Sequence, residues 1–289
     1  MFEKVNPEHP DKIADRIAGA IVDYAYTLNV KPKIAVEVLI GHDECNIIAE
    51  TSEQLDTKKI ESIVKRIAGD SVLVNFKSYP QDTYLSQNQE GHIRCGDNGI
   101  FIGCPTSLEE SDLTGLVSNM HDKFKSDAKF LSDWTRTIIC QSKATEEDVR
   151  KALESFYPST GETIVNPIGN WTGGINVDTG ATNRKLGSDM GRAVSGGGLH
   201  GKDLSKADVS INIVCHLIAQ LTNKVVKATC FIGDECPVFH VCKEDITYDL
   251  GAYEFGMPYV IIVEIARAYI NYIGGFEKFA EWGLIRPQK

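Results

Sequence analysis

The stretch KIAVEVLIGHDECNIIAET, residues 33–51, alternates apolar and polar side chains on both sides of a polar break at residues 42–44. This alternation predicts two strands that each bury one face, and the short break predicts a hairpin between them. A helical pattern precedes the hairpin and begins with Pro10, a residue suited to the first helical position. A second helical pattern follows, between the candidate N-cap Asp56 and a terminating Gly69. The predicted unit is therefore helix, strand, strand, helix.

The same order recurs towards the C-terminus. Two predicted strands again lie between two predicted helices, in the order helix 205–224, strand 227–233, strand 237–243 and helix 257–273. The turns are similar too, because LIGHDEC at 39–45 corresponds to FIGDEC at 231–236. The two units read as an internal repeat.

The middle of the chain holds a reduced version of this unit. Helices are predicted at 108–124 and 144–157, the second with a capping box formed by Thr145 and Asp148. Only one strand, at 134–141, is predicted between them. We therefore expect an α+β protein made of three related modules, the middle one trimmed, with helices on one face of largely antiparallel sheets.

Two long polar segments interrupt the modules. Residues 79–98 form a polar, periodless stretch of a length typical of a lid loop, and residues 166–201 are rich in Gly, Asn, Thr and Asp. The predicted domains are an N-terminal module at 1–98 that includes the lid loop, a shortened central module at 99–170 and a C-terminal module at 171–289.

The composition excludes several classes of partner. The net charge of −10 and the absence of a long basic run argue against a nucleic-acid partner. No apolar run reaches transmembrane length, and the start of the chain is not typical of a signal peptide. The eight cysteines form no CxxC pair, which favours reduced thiols in a cytoplasmic protein. His240 and Cys242 alternate on one predicted strand, but a zinc site there is disfavoured.

The stretch SGGGLHGKDLSKAD, residues 195–208, resembles a phosphate-binding loop. Gly196, Gly201 and Lys202 have Walker A spacing, but Asp203 stands where a Walker loop needs Ser or Thr to reach magnesium. An unrelated P-loop phosphotransferase is therefore disfavoured.

A looser interpretation of this stretch is an anion site at a helix start. Asp203 or Ser205 could cap the following helix, and an anion would offset the cost of Lys202 and Lys206 near a positive helix end. Asp208 could hold the cation that accompanies phosphate. Taken alone, the stretch fits a solvated basic helix start equally well.

Other residues favour the anion site. Arg184 and Lys185 lie in the same irregular region, and His9 and Asp11 lie with Lys12 at the start of the first predicted helix. Two helix starts that combine basic and acidic residues, together with an Arg-Lys loop, point to a polyphosphate with magnesium.

Several motifs, in order along the chain, resemble the methionine adenosyltransferase (S-adenosylmethionine synthetase) family. The specific ones are HPDKIAD at 9–15, NPIGNWTGG at 166–174, DTGATNRK at 178–185 and GGGLHGKDLSKAD at 196–208. Weaker matches are AVEVLI around Glu37, IIAET around Glu50 and CGDNGIFIG around Asp97. The similarity spans nearly the whole chain, which is identified as a shortened, divergent member.

The resemblance implies a fold and a reaction. The family has three βαββαβ-like units around a pseudo-threefold axis and forms dimers with active sites between subunits, so a homodimer is expected here, with a tetramer as the alternative. Its members join ATP and L-methionine: the sulfur attacks the ribose C5′ and expels triphosphate, which is cleaved to diphosphate and phosphate. Magnesium, expected as two ions, and potassium assist. No general base is needed, because a thioether has no proton to lose.

The resemblance also implies a ligand for each matching residue. The groups are triphosphate (His9, Arg184, Lys185, Lys202 and Lys129), nucleoside (Asp97, Trp171 and Asp178), methionine (Glu50, Lys206 and Asp178), magnesium (Asp11 and Asp208) and potassium (Glu37).

The sequence departs from the family at several positions. Glu8 replaces the usual glycine beside the phosphate site, and Ser195 replaces the histidine before the three glycines. Lys129 matches a phosphate lysine at the start of a hairpin, but the first strand of that hairpin is not predicted. These losses leave an alternative open, a non-catalytic nucleotide-binding or regulatory relative that pairs with a full-length subunit.

Overall fold

The computed structural model describes residues 1–133, 135–156, 161–195, 197–243 and 251–288. The strands are β1 (Phe2–Val5), β2 (Ile34–Gly41), β3 (Glu44–Thr51), β4 (Leu73–Tyr79), β5 (Gly99–Gly103), β6 (Ala128–Ser132), β7 (Arg136–Gln141), β8 (Glu162–Val165), β9 (Gly180–Ala181), β10 (Val225–Cys230), β11 (Val238–Cys242) and β12 (Tyr253–Gly256). The helices are α1 (Pro10–Leu28), α2 (Thr57–Ala68), α3 (Thr83–Gln87), α4 (Leu108–Phe124), α5 (Glu146–Phe156), α6 (Leu186–Met190), α7 (Ala207–Thr222), α8 (Tyr259–Ile273) and α9 (Phe276–Trp282).

The predicted α+β class with three related sheet units is confirmed, since the strands form three four-stranded sheets. The first has the order β4-β3-β2-β9, and its centre is the hairpin of β2 and β3. The predicted N-cap of α2 is also present, because the Asp56 side chain accepts a hydrogen bond from the Lys58 N–H. The other two sheets have the orders β12-β11-β10-β5 and β1-β6-β7-β8.

The prediction of a missing central strand is wrong. Residues 128–132 form β6, which pairs antiparallel with β7 as a hairpin. The strand is only 5 residues long, so it is too short to show the alternating pattern that marks the 8-residue strands of the first hairpin. What is reduced in the middle unit is therefore strand length, while the strand count is kept. Trp134, which we had included in the next strand, lies outside the described residues.

Three short strands each pair with a strand from a different predicted module. β1 pairs with β6, β5 pairs with β10, and β9 pairs with β2. Each sheet therefore contains one strand that the order of the chain does not suggest. The boundaries after residues 98 and 170 stay a prediction.

Helices cover the buried faces of the sheets. One apolar core joins α1, α2, α7 and α8 to the first sheet and to the sheet that contains β10, and a smaller core lies beneath the sheet that contains β6 and β7. The predicted lid loop contains the short helix α3, capped by Asp82. In the described part of the chain, no helix combines the length and the apolar character that spanning a membrane requires. The cytoplasmic location stays a prediction.

Candidate functional site

Helix α1 is capped by a buried histidine, and the Nε2 of its ring has no hydrogen-bond partner in the described part of the chain. His9 is the N-cap, and its Nδ1 accepts a hydrogen bond from the Asp11 N–H at 3.1 Å. Burial, together with the charges of Lys129 and Lys185, lowers the pKa of His9 to about 3, so the ring is neutral. Since Nδ1 is an acceptor, the proton belongs on Nε2. That buried N–H donor meets no acceptor among the described residues, and an anion is the ligand it suits.

Asp11, two residues further on, is held by the neighbouring strand. Its Oδ1 accepts a hydrogen bond from the Ala181 N–H at 2.9 Å. A Cβ atom on Gly180 would lie 2.0 Å from the Pro10 carbonyl oxygen, so β9 approaches the helix start closely only because residue 180 is glycine. This contact places Arg184 and Lys185 near the carboxylate, at 3.6 Å and 3.9 Å.

The correction to β6 gives Lys129 a defined position. Its Nζ lies 3.4 Å from the Asp178 carboxylate and 5.5 Å from the centre of the Trp171 ring. Burial alone would raise the pKa of Asp178, but the Thr179 N–H and then Lys129 lower it, so this carboxylate is charged. Lys129 also contributes to the depressed pKa of His9, which places it at the same helix start. The structure therefore places this lysine beside Asp178 and close to His9.

Lys202 is a strand-edge residue rather than a helical one. It forms an isolated antiparallel bridge with Ala35 on β2, and its Nζ lies 2.8 Å from the Asp208 Oδ2. Burial opposes the charged form, but Asp208 raises the pKa of Lys202, which is therefore positive. The second oxygen of Asp208, Oδ1, is buried without a hydrogen-bond partner among the described residues. Gly196, a part of the predicted glycine loop, lies outside those residues.

The predicted cap of α7 is wrong. The helix begins at Ala207 with Lys206 as N-cap and without a side-chain cap. Asp203 instead accepts hydrogen bonds from the backbone N–H groups of Ser205 and Ile34. These bonds fasten the loop to β2, so tertiary pairing has replaced the local cap that we expected from the residue type.

The outward face of the first sheet carries two of the predicted acids. Glu50 pairs with Ala35 in the β2–β3 ladder, and Ala35 pairs with Lys202 on its other side. Directly paired residues share a face, so Glu50 and Lys202 project on the same side of the sheet. Glu37, two residues along β2, shares that face and accepts a hydrogen bond from the Thr182 hydroxyl.

Asp97 and Lys206 are brought together by a backbone contact. The Gly96 N–H donates to the Ser205 carbonyl at 3.3 Å, which joins the end of the lid loop to the start of α7. Asp97 also contributes to the raised pKa of Lys202. The predicted residues therefore form two neighbouring groups, one around His9 and Asp11 and one around Lys202 and Asp208. The loop at 180–185 connects them.

The residues that depart from the family pattern are paired elsewhere. Glu8 lies 3.4 Å from Arg16 and 3.5 Å from His121, so its charge is matched outside the phosphate group. The Ser195 hydroxyl donates to the Asn212 side chain at 2.8 Å.

Sequence reasoning missed a buried ionic cluster behind the site. Asp15, Asp189 and His200 lie close enough to share a metal ion. The Lys12 ammonium, however, is 2.6 Å from both Asp189 oxygens and 3.8 Å from Asp15, so the cation of this cluster is a lysine. The only available signal was the pair of Lys12 and Asp15 on the buried face of an amphipathic helix.

The comparisons with known proteins agree with the motifs. Residues 1–79 match the family described as S-adenosylmethionine synthetase, N-terminal domain. S-adenosylmethionine synthases of Helicobacter pylori and Helicobacter hepaticus are 26% and 28% identical to this chain; the alignments cover 79% of it and 74% and 73% of the relatives. The one from Thermus thermophilus is 25% identical, over 75% of this chain and 73% of the relative.

A solved structure supports the fold. The unusual S-adenosylmethionine synthetase from Campylobacter jejuni superposes with a TM-score of 0.74. The superposition covers 98% of this chain and 93% of that one, at 17% sequence identity. A likeness at that identity concerns the fold alone.

Proposed function

Because the chain is a divergent relative of the S-adenosylmethionine synthetases, we propose that it is a methionine adenosyltransferase that makes S-adenosylmethionine from ATP and L-methionine. The observation that carries this proposal is the buried N–H of His9, which has no acceptor among the described residues and lies beside Lys129, Lys185 and Arg184. Such a concentration of donors and positive charge at a helix start suits a polyphosphate.

The chemistry needs charge stabilisation rather than proton transfer. The methionine sulfur donates a lone pair to C5′, the C5′–O bond breaks, and its electron pair leaves with the triphosphate. The barrier depends on how well the negative charge on the leaving oxygens is held. Fixed cations and N–H donors at His9, Lys129, Arg184, Lys185 and Lys202 would provide this. A water molecule would then attack a phosphorus atom of the triphosphate, with diphosphate and phosphate as the products, and this hydrolysis would use the same groups.

Asp11 and Asp208 fit magnesium. Carboxylate oxygens are the ligands that Mg²⁺ prefers, and the Oδ1 of Asp208 is buried without a partner among the described residues. When bound, the ions would neutralise phosphate charge. A potassium ion would be held at Glu37, beside the Thr182 hydroxyl.

The methionine and nucleoside positions follow from the same arrangement. Glu50, on the outward sheet face, would meet the methionine amine, and Lys206 its carboxylate. The adenine would stack on the ring of Trp171, on the side that Lys129 leaves open. Asp97 and Asp178 would complete the nucleoside site, with Asp178 shared with methionine.

The active unit would be a homodimer. Leu39, Ile48 and Leu73 lie on the outward face of the first sheet and are 49%, 51% and 59% exposed. Paired positions place them on the face of Glu37 and Glu50. An apolar surface that adjoins charged substrate-binding groups is suited to a second copy.

The deciding experiment follows two products at once. Purified protein is mixed with ATP, methionine, Mg²⁺ and K⁺, and S-adenosylmethionine and phosphate are measured by chromatography. We expect both products to form. S-adenosylmethionine with intact triphosphate would restrict the proposal to the first step.

ATP binding without any product would instead favour the alternative, a non-catalytic regulatory relative. The charged residues argue against this outcome, because a pure interaction subunit has no need of them.

A further inference from the structure

We propose that Asn183 is a positioning residue that holds the cationic groups of the site in register; this inference rests on the proposed function. Its side chain makes hydrogen bonds to a single segment, residues 199–200. The Oδ1 accepts hydrogen bonds from the N–H groups of Leu199 and His200, both at 2.8 Å, and the Nδ2 donates to the His200 carbonyl at 3.2 Å. Two donors converge on one atom, which identifies that atom as the oxygen.

The backbone of Asn183 makes a fourth contact, to a different element. Its N–H donates to the Asp15 Oδ1 at 2.8 Å, and Asp15 lies one helical turn after Asp11 on α1. Arg184 and Lys185 follow Asn183 directly, and Lys202 follows His200 by two residues. Asn183 is thus the point at which helix α1, the Arg-Lys loop and the Lys202 strand are joined.

The elements that Asn183 joins are themselves anchored. His200 Nε2 lies 2.8 Å from Asp189, and Asp189 is bonded to Lys12 on α1. Asp15, Asp189 and His200 are almost fully buried. The hydrogen-bond partners of Asn183 are therefore held in place by a buried ionic cluster.

The neighbouring Gly198 leaves room for the side-chain amide of Asn183. A Cβ atom on Gly198 would lie 2.7 Å from both the Cγ and the Nδ2 of Asn183. Gly198 does not adopt the left-handed conformation, so the lack of a side chain there makes room for the amide and is not required by the backbone. Asn183 itself has φ of 63°, which asparagine and glycine tolerate best.

The hydrogen bonds of Asn183 matter because the positively charged side chains of the site must be held close together before the substrate binds. Arg184 and Lys185 lie near Asp11, and Lys202 pairs with Asp208, but these pairs do not fix the two loops relative to each other. Groups fixed in the productive arrangement avoid reorganisation when the triphosphate binds. Hydrogen bonds from a neutral amide can fix these loops without adding charge to the site.

Asn183→Gly is the matched test, because glycine keeps the left-handed backbone and the N–H bond to Asp15 while it removes the side-chain bonds. The probe is inorganic tripolyphosphate, titrated by calorimetry with Mg²⁺ present. We expect affinity for the probe and kcat to fall by about 10- to 100-fold, since small misplacements of catalytic groups cost rates of that order. The melting temperature should also fall, because the buried N–H groups of Leu199 and His200 lose their acceptor, whereas the KM for methionine should change little. A merely structural role would lower the melting temperature but leave the affinity for tripolyphosphate, measured well below that temperature, at the wild-type value.

Gly198→Ala provides the second arm. The added methyl group should displace the amide and weaken tripolyphosphate binding, whereas the double variant Asn183→Gly/Gly198→Ala should bind no worse than Asn183→Gly alone. Wild-type affinity in Asn183→Gly, or additive losses in the double variant, would overturn the positioning role. A wild-type protein that does not bind tripolyphosphate would overturn the proposed function with it.

Discussion

At the scale of single residues, the site is marked by polar atoms that the protein buries and leaves without partners. His9 Nε2 and Asp208 Oδ1 are both of this kind among the described residues. Leaving such groups unsatisfied costs free energy, on the order of 1–3 kcal/mol each. Ligands that bring an anion to one and a cation to the other would recover that cost, so these atoms indicate where triphosphate and magnesium should bind.

Lys202→Met should remove most turnover while leaving the fold intact. The lysine offers charge, and its stem is partly exposed beside β2. We expect kcat to fall by about 100- to 1000-fold, as for loss of one charge-stabilising donor. Lys227→Met, an exposed strand lysine on another sheet, is the control. Turnover at the wild-type level in Lys202→Met would remove the lysine from the triphosphate site.

Asp11→Asn should shift the magnesium requirement to higher concentration. The amide oxygen can still accept from Ala181, so the helix start should keep its position, but the ligand loses its charge. The measurement is the activity as a function of Mg²⁺ concentration, with the exposed Asp122→Asn as the control. A titration superimposable on that of the wild type would exclude Asp11 from the metal site.

His216 makes the stability of the fold sensitive to acid. Burial on α7 lowers its pKa from 6.5 to about 4, so the folded state resists a proton that the unfolded state accepts. Stability is therefore fully present above pH 6.5 and is lost as the pH falls towards 4; about 2 kcal/mol goes between pH 7 and pH 5. In urea unfolding at both pH values, His216→Leu should show a loss smaller by this amount. An unchanged loss would contradict the prediction, and the exposed His92→Leu is the control.

At the scale of elements, the site depends on close approaches between short strands and helix ends. The strand β9 has two residues, yet it bonds Asp11 and leads into the Arg-Lys loop. Patterns of 11–18 residues reveal amphipathic helices, but two residues have no period. Local caps were predicted correctly where the partner lies within three residues, as for Asp56 and for Thr145 with Asp148. Asp203 was mispredicted because its partner Ile34 lies 169 residues away.

Gly180→Ala should separate β9 from the start of α1. The new methyl group would meet the Pro10 carbonyl and the Asp11 N–H, both backbone atoms that cannot move alone. We expect a loss of stability of about 1–3 kcal/mol together with weaker magnesium and ATP binding, measured by urea unfolding and calorimetry. Gly115→Ala is the matched control, since nothing lies within 4 Å of its Cβ position on α4. If the two variants behaved alike, the close approach would not matter.

At the scale of the whole molecule, each sheet contains one strand from a different predicted module, and one apolar face of the first sheet is left exposed. The strands β1, β5 and β9 pair with strands that are distant in the chain, so the protein folds through many long-range contacts. The face of the first sheet that bears Leu39 and Ile48 lies outside this packing. In the proposed dimer, that face meets a second copy beside Glu37 and Glu50.

Ile48→Glu should dissociate the dimer. A carboxylate at the centre of an apolar interface would be desolvated without a partner. Sedimentation velocity should show dimer for the wild type and monomer for the variant, and activity should fall with the dimer. Leu221→Glu, at an 86% exposed position on α7, is the control. A variant that stays dimeric would place the interface elsewhere.

The sequence by itself determined the elements whose signals are local. Alternation predicted the β2–β3 hairpin, apolar periodicity predicted the long helices, and the motifs at 9–15 and 178–208 predicted which charged residues matter. Each of these depends on neighbours a few positions away, so the side chains alone carry the information.

Only the tertiary structure decided how those residues meet. Several contacts join groups that are distant in the chain: the pairing of β9 with β2, the bridge of Lys202 to β2, the contact of Lys129 with Asp178 and the hydrogen bonds of Asn183. Such pairings are chosen by the packing of the complete core and by the need to satisfy buried backbone groups. No local pattern encodes them, because the free energy that selects them appears only when the whole chain is folded.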